Sequence, residues 1–312
     1  MNKIKNISVI GTGVIGTGWI LRFLASNKKV IAFDKNKSQI NYLNKEIKRT
    51  KSIIEKLYKK KININNLKIV DTLEEAVRNS DLIQENIPER LQIKKTVIKN
   101  ISNLAPKNTI IASSSSGLLP SKLQSVCINP QRFIIAHPFN PVYILPLVEI
   151  VKGSKTSKIY INKANSFYKS IKMKTLLINK ELPGFLSDRL QEALWREGLH
   201  IINDGFGSTK DLDDAITYGP GMRWALMGTF LTFHLAGGKS GMKHMLKQFG
   251  PALKLPWTKL KAPKLSNRLI NRLVQGTRKQ SKGRSVSKIS NIRDEYLVKL
   301  LQLRKKYEKR LR

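Results

Sequence analysis

The amino-acid sequence predicts an α/β protein in two parts: a mostly parallel sheet with helices on both faces, then a smaller all-helical domain. Three observations carry this. Short apolar runs bounded by turn residues alternate with helix-spaced segments from the N-terminus to about residue 180, the pattern of parallel strands joined by helical crossovers. The first run leads directly into Gly11-Thr12-Gly13-Val14-Ile15-Gly16, a glycine-rich turn that opens a helix. Beyond residue 183 the segments read as helices alone. With 312 residues and 41% hydrophobic composition the chain can bury two cores, drawn here as domains of residues 1–182 and 183–312.

Residues 4–10 form the first expected strand. Lys3 and Lys5 ahead of an apolar stretch imitate a secretion signal, but four glycines and Arg22 interrupt that stretch, so strand, turn and helix fit it better. Residues 30–33 make a second strand ending at Asp34. Strand, glycine turn, helix, strand and terminal acid together form the Rossmann-type dinucleotide fingerprint. Gly11 permits the tight turn, Gly13 lets backbone N–H groups approach a pyrophosphate, and Gly16 lets helix and strand lie close. Val14 and Ile15 sit at the helix N-terminus, whose electrostatics favour phosphate. Asp34 is expected to take a ribose 2′-hydroxyl and to repel a 2′-phosphate, so NAD is favoured over NADP; Lys35 and Lys37 weaken that preference without reversing it.

Ile40, Leu43, Ile47, Ile54 and Leu57 lie on one face of a helix over residues 38–61. Residues 67–70 are a strand, and Thr72 with Glu75 suggests a capping box. A strand at 81–84 leads into Glu85-Asn86-Ile87-Pro88-Glu89-Arg90 and a helix containing Lys94. The strand at 108–112 ends in Ser113-Ser114-Ser115-Ser116-Gly117, at the carboxyl end of a parallel strand, where ligands of open α/β sheets bind. Phe133 to Ala136 is a buried strand that delivers His137 to a Pro-rich loop, after which Glu149 stands in a second apolar run. A carboxylate among apolar residues needs a partner. Either Glu149 accepts the Nδ1 proton of His137, leaving Nε2 to act as a base, or a core histidine and a loop glutamate never meet. A helix at 157–171 and a strand at 175–178 close the domain. On the following helix, 184–203, Asp188, Glu192 and Trp195 share one face.

Lys and Arg total 58 against 21 Asp and Glu, a net charge of +37. The lysines are scattered and accompany abundant Asn and Ile. No stripe of arginines interleaved with aromatics appears, so no specific nucleic-acid site is expected, although nonspecific polyanion binding fits as a side property. Cys127 is the only cysteine, which excludes a disulfide framework and a metal-binding Cys pair and suits a reducing, cytoplasmic setting. His137, His200, His234 and His244 are too dispersed to suggest a metal site, and neither a metal nor a membrane partner is expected.

The glycine loop, the Glu85 to Lys94 segment, the serine loop, His137-Pro-Phe-Asn-Pro with Glu149 twelve residues on, and Leu182-Pro183-Gly184-Phe185 resemble the 3-hydroxyacyl-CoA dehydrogenase superfamily, in its order and at its spacings. The resemblance spans nearly the whole chain. Within it, the segments at 116–121, 140–149, 192–197, 221–225 and 256–260 look most like members that oxidise a small 3-hydroxy acid bearing a quaternary ammonium; sugar-acid and acyl-CoA dehydrogenases are the alternatives. The resemblance implies NAD as cofactor, His137 as general base, Glu149 as its carboxylate partner, Ser116 as a hydrogen-bonding group for substrate or nicotinamide, Glu89 and Lys94 as cofactor contacts, a small-molecule substrate and a homodimer. Asp188 departs from the asparagine usual in the acyl-CoA enzymes. For a quaternary ammonium, Tyr143, Trp195, Trp224, Phe230 and Phe233 are candidate aromatic faces, and Arg196 or Arg223 could grip a carboxylate. A structural or polyanion-binding protein is the non-enzymatic alternative.

Overall fold

The computed structural model describes residues 4–225, 228–237, 239, 241–251, 255–258, 266–269, 271, 275, 282, 284 and 286–311. It divides into two compact units, Met1–Arg189 and Leu190–Arg312.

The first unit is built on eight strands: β1 (Asn6–Ile10), β2 (Lys29–Phe33), β3 (Leu67–Ile69), β4 (Leu82–Glu85), β5 (Ile110–Ser113), β6 (Phe133–Pro138), β7 (Leu147–Lys152) and β8 (Lys174–Ile178), in the order β3-β2-β1-β4-β5-β6-β7-β8. All neighbours are parallel except β6 and β7. Their connection is too short for a crossover helix, so the chain turns back as an antiparallel pair. Helices α1 (Val14–Ala25), α2 (Lys37–Tyr58), α3 (Leu73–Val77), α4 (Leu91–Leu104), α5 (Pro120–Gln124) and α6 (Lys158–Ser170) form the connections. Every residue of β4, β5 and β6 is buried, so both faces of the central sheet are covered and its strands read as unbroken apolar runs. The exceptions, Gln84, Glu85, Ser113 and His137, gather at carboxyl ends. Strand order reverses between β1 and β4, the switch point where such sheets bind ligands.

Most expected elements end within about three residues of their predicted bounds, the scatter normal for helix and strand termini. Two details differ. Thr72 caps α3 by accepting from Glu75 N at 3.1 Å, but the Glu75 carboxylate turns to Lys68 Nζ at 3.0 Å instead of closing the box. The short helix α5 was not anticipated, although Pro120 at its first turn is a start signal.

Helix α7 (Ser187–Asp204) begins in the first unit. In the second lie α8 (Thr209–Thr217), α9 (Pro220–Trp224), α10 (Thr229–Ala236), α11 (Gly241–Phe249) and a C-terminal helix, Val286–Leu311. A reciprocal capping box between Ser208 and Asp211 opens α8. No strand occurs among the described residues of this unit. Of the basic stretch expected to be helical from residue 254 onward, 286–311 is helical; much of 259–285 lies outside the described residues.

Candidate active site

The antiparallel register of β6 and β7 sets His137 directly opposite Glu149. Opposed side chains in such a pair are near neighbours, and Nδ1 of His137 lies 2.9 Å from Oε2 of Glu149. The structure therefore brings the two together. Glu149 is fully buried. Its other oxygen, Oε1, accepts from Leu186 N at 3.1 Å, Ser187 N at 3.0 Å and Ser187 Oγ at 3.1 Å. These N–H groups stand at the start of α7, where no intrahelical acceptor exists and a negative charge is favoured. Burial alone would raise the pKa of Glu149. The hydrogen bond from His137, those from Ser187 and Leu186, and attraction to the imidazole outweigh it, so the carboxyl sits below the ordinary range. An ionised Glu149 accepts only, which makes Nδ1 of His137 the protonated nitrogen and leaves the Nε2 lone pair available. Phe139 meets the ring edge-on at 5.1 Å between centroids, and Phe185 flanks it at 5.7 Å. Near Nε2 stands Asp188, with Oδ2 at 3.7 Å.

The serine loop resolves by donor and acceptor accounting. Ser113 Oγ donates to Glu85. Ser114 Oγ accepts from Trp19 Nε1 at 3.0 Å and Gln84 Nε2 at 2.8 Å and donates to Asn86 Oδ1 at 2.7 Å, so its hydroxyl is saturated. Ser115 Oγ donates to Glu89. Ser116 alone of the four has no hydroxyl bond among the described residues, and it lines the same cleft as His137.

That cleft has a volume of about 690 Å³ and runs from His137 and Ser116 past Glu89 and Lys94 to Gly11, Val14, Ile15 and Asp34. Lys94 is buried, with Nζ 2.8 Å from Glu85 Oε1, 3.0 Å from the Ile87 carbonyl and 3.5 Å from Glu89 Oε2. Burial works to raise the pKa of Glu89, but the Ser115 hydroxyl, Lys94 and the Gly117 and Leu118 N–H groups together hold it low. At the other end, Gly11 has φ +87°, and a Cβ there would stand 2.9 Å from the Asn86 carbonyl oxygen. A Cβ on Gly13 would meet only Gln39 Oε1, at 3.7 Å, so Gly13 offers the cleft bare backbone. No side chain caps α1. Asp34 is held by Thr12 N at 2.7 Å and Asn36 N at 2.9 Å. Uncapped helix N–H groups, a glycine face and an oriented carboxylate in one cleft fit the phosphates and the ribose of a dinucleotide.

The remaining candidates are not part of this cleft lining. Tyr143 is a core residue, 4% exposed, its hydroxyl accepting from Arg49 Nη2 at 3.0 Å; the apolar loop around it is folded inward. In the second unit, Trp195, Phe230 and Phe233 are exposed, Trp224 is half-buried and Arg223 is exposed on α9. Arg196 Nε pairs with Glu192 Oε1 at 3.0 Å along α7. Burial pushes the Cys127 thiol up to about 11, the behaviour of a structural thiol. Among the described residues no cluster suits a metal ion, and no helix is long and apolar enough to cross a membrane. Sequence reasoning missed the buried network that holds Ser114, in which Tyr168 Oη donates to Gln84 Oε1 at 2.6 Å. It also missed the role of the Leu186 and Ser187 N–H groups, for which only the approaching helix start was a signal.

Residues 6–182 match the model of the 3-hydroxyacyl-CoA dehydrogenase NAD binding domain, and residues 184–283 that of the 3-hydroxyacyl-CoA dehydrogenase C-terminal domain. The chain belongs to the 3-hydroxyacyl-CoA dehydrogenase family. It is an NAD-dependent dehydrogenase acting on a CH–OH group. Over 304 residues it is 51% identical to an L-carnitine dehydrogenase of Oceanobacillus iheyensis, covering 97% of this chain and 99% of that protein. With an L-carnitine dehydrogenase of Bacillus cereus it shares 52% identity over 307 residues, covering 98% and 94%. Among solved structures, the 5-formyl-3-hydroxy-2-methylpyridine 4-carboxylic acid 5-dehydrogenase, an NAD+-dependent dismutase, superposes with a TM-score of 0.82 at 23% identity over 97% of this dehydrogenase and 99% of that chain, a likeness of fold.

Proposed function

We propose that this dehydrogenase oxidises the 3-hydroxyl of L-carnitine to the ketone, 3-dehydrocarnitine, with His137 as general base. The observation that carries the substrate is near-full-length identity of 43–52% to proteins named L-carnitine dehydrogenase. The mechanism rests on the His137–Glu149 pair beside Ser116. Gly11, Gly13, Val14, Ile15 and Gly16 hold the pyrophosphate end of NAD, Asp34 its ribose, and Glu89 and Lys94 line its path. NAD, when bound, supplies the acceptor for the hydride from C3. His137 takes the hydroxyl proton at Nε2, and the Glu149 anion stabilises the imidazolium that results. Ser116 hydrogen-bonds the same oxygen and fixes its direction. Residues 1–182 thus serve as the NAD-binding domain and 183–312 as the domain for substrate and dimer formation; Phe206, Tyr218, Phe230 and Trp257, each more than two-thirds exposed, support a homodimer through this part.

The test is NADH formation from L-carnitine, D-carnitine, L-gulonate and L-3-hydroxybutyryl-CoA side by side. L-Carnitine is expected to give the highest kcat/KM. Turnover of another of the four without turnover of L-carnitine would overturn the substrate, and no NADH from any of them would overturn the proposal as a whole.

A further inference from the structure

Asp188 occupies the first turn of α7, its Oδ2 3.7 Å from the nitrogen of His137 that Glu149 leaves available. Glu149 is fully buried, whereas the Asp188 side chain keeps 31% of its surface exposed. The separation exceeds a hydrogen bond, so the carboxylate acts on the base through charge alone. The carboxylate sets a negative charge beside the reacting nitrogen, and a cation arriving with the substrate is attracted to it.

L-Carnitine brings one. Its quaternary nitrogen is one methylene from the carbinol carbon, about 3–4 Å from the hydroxyl oxygen in either staggered rotamer. With that hydroxyl about 2.8 Å from Nε2 of His137, the nitrogen reaches about 4–6 Å from a carboxylate placed as Asp188 is. A trimethylammonium donates no hydrogen bond, so charge at methyl-contact distance is the recognition open to it, and a part-exposed carboxylate suffices.

We infer that Asp188 is the specificity-determining anion that selects a substrate with a positive charge one carbon from its hydroxyl-bearing carbon. This rests on the substrate proposed above. A residue that merely tuned His137 would affect cationic and neutral ligands alike. The probe is therefore the carbon isostere of L-carnitine, 3-hydroxy-5,5-dimethylhexanoate, used as a competitive inhibitor beside kcat/KM for L-carnitine. In Asp188→Asn the preference for L-carnitine over the isostere should fall about 10- to 100-fold, and Asp188→Glu should keep part of it. An unchanged preference, within about twofold, in an Asn variant that still binds NAD overturns the inference. Should that variant fail to fold, Asp188→Ser replaces it under the same criterion, and in the wild-type protein equal inhibition by 4-trimethylammoniobutanoate and by its carbon isostere 5,5-dimethylhexanoate overturns the inference outright. Failure of the substrate proposal is distinct, because the wild-type protein would then form no NADH from L-carnitine.

Discussion

At the scale of single residues, His137 and Glu149 make different predictions. Replacing His137 with Ala should lower kcat by about two to four orders of magnitude, the usual worth of a general base, with NAD affinity nearly unchanged; stopped-flow NADH formation and NAD titration check this. Glu149→Gln acts on the tautomer. Its Oε1 can still accept from Leu186, Ser187 and the Ser187 hydroxyl, which turns the amide NH₂ toward Nδ1. Nδ1 must then accept, the proton moves to Nε2, and the base is lost. A fall in kcat of about two orders of magnitude or more, with NAD affinity kept, is the expected outcome. The same carboxyl makes a pH prediction. Because its folded-state pKa is depressed, its ionised form contributes stability that is present above the ordinary carboxylate range and is lost as pH falls through the folded value. The melting-temperature advantage of the wild-type protein over Glu149→Gln should be greatest near neutrality and shrink in acid below about pH 4.5. An advantage constant from pH 7 to pH 3 would contradict the assignment. Much of this site was legible in the chain: twelve residues and two apolar runs suggested the His–Glu pair. Asp188 came to the site only through the resemblance, which set it at the usual asparagine position with a negative charge near the site; no local pattern encodes where α7 enters, so its place beside Nε2 was not readable from the residues themselves. Tyr143 misled for a related reason, since an aromatic reads alike in a core and at a cleft.

At the scale of elements, the glycine turn separates packing from binding. A Cβ on Gly16 would lie 1.8 Å from the Gly11 carbonyl oxygen, whereas one on Gly13 makes only an ordinary contact, with Gln39 Oε1 at 3.7 Å. Gly16→Ala must push α1 away from the turn and should lower the melting temperature as well as NAD affinity. Gly13→Ala should leave the melting temperature of the cofactor-free protein within about 2 °C and weaken NAD binding about tenfold or more, as read by thermal denaturation and fluorescence titration. A second joint lies between α1 and the β6–β7 loop. Buried Arg22 donates from Nε to the Val142 carbonyl at 2.9 Å and from Nη2 to that of Leu145 at 2.8 Å, and Gly18 leaves room for Val142. The helix that begins at the glycine turn thus also holds the loop joining His137 to Glu149. Arg22→Met strands the buried Val142 carbonyl and the part-buried Leu145 carbonyl and should lower the melting temperature by roughly 5–10 °C. The sequence had marked Arg22 only as a break in an apolar stretch. Its partners lie some 120 residues away, and such long-range polar contacts leave no periodicity to read. Strands and helices were legible because burial on both faces, or on one stripe, imposes a repeat on the residues themselves.

At the scale of the molecule, charge and chemistry separate. A net charge of +37 on 312 residues is a self-repelling surface, while the cleft holds its own charges in local pairs, Lys94 with Glu85 and Glu89 among them. Surface repulsion is screened within about 10 Å at 0.1 M salt; short buried pairs are screened far less. Raising monovalent salt from about 0.02 to 0.3 M should therefore raise the melting temperature by a few degrees. The same salt should abolish binding to a polyanion such as heparin, with a linear fall of log affinity against log salt and no preference among polyanion sequences. The proposed oxidation of L-carnitine should lose much less over that range, because the proposal assigns its hydride and proton steps to groups in the cleft. Sequence-specific, salt-resistant binding to a nucleic acid would show that the lysines form a built surface and would contradict their description as a dispersed excess.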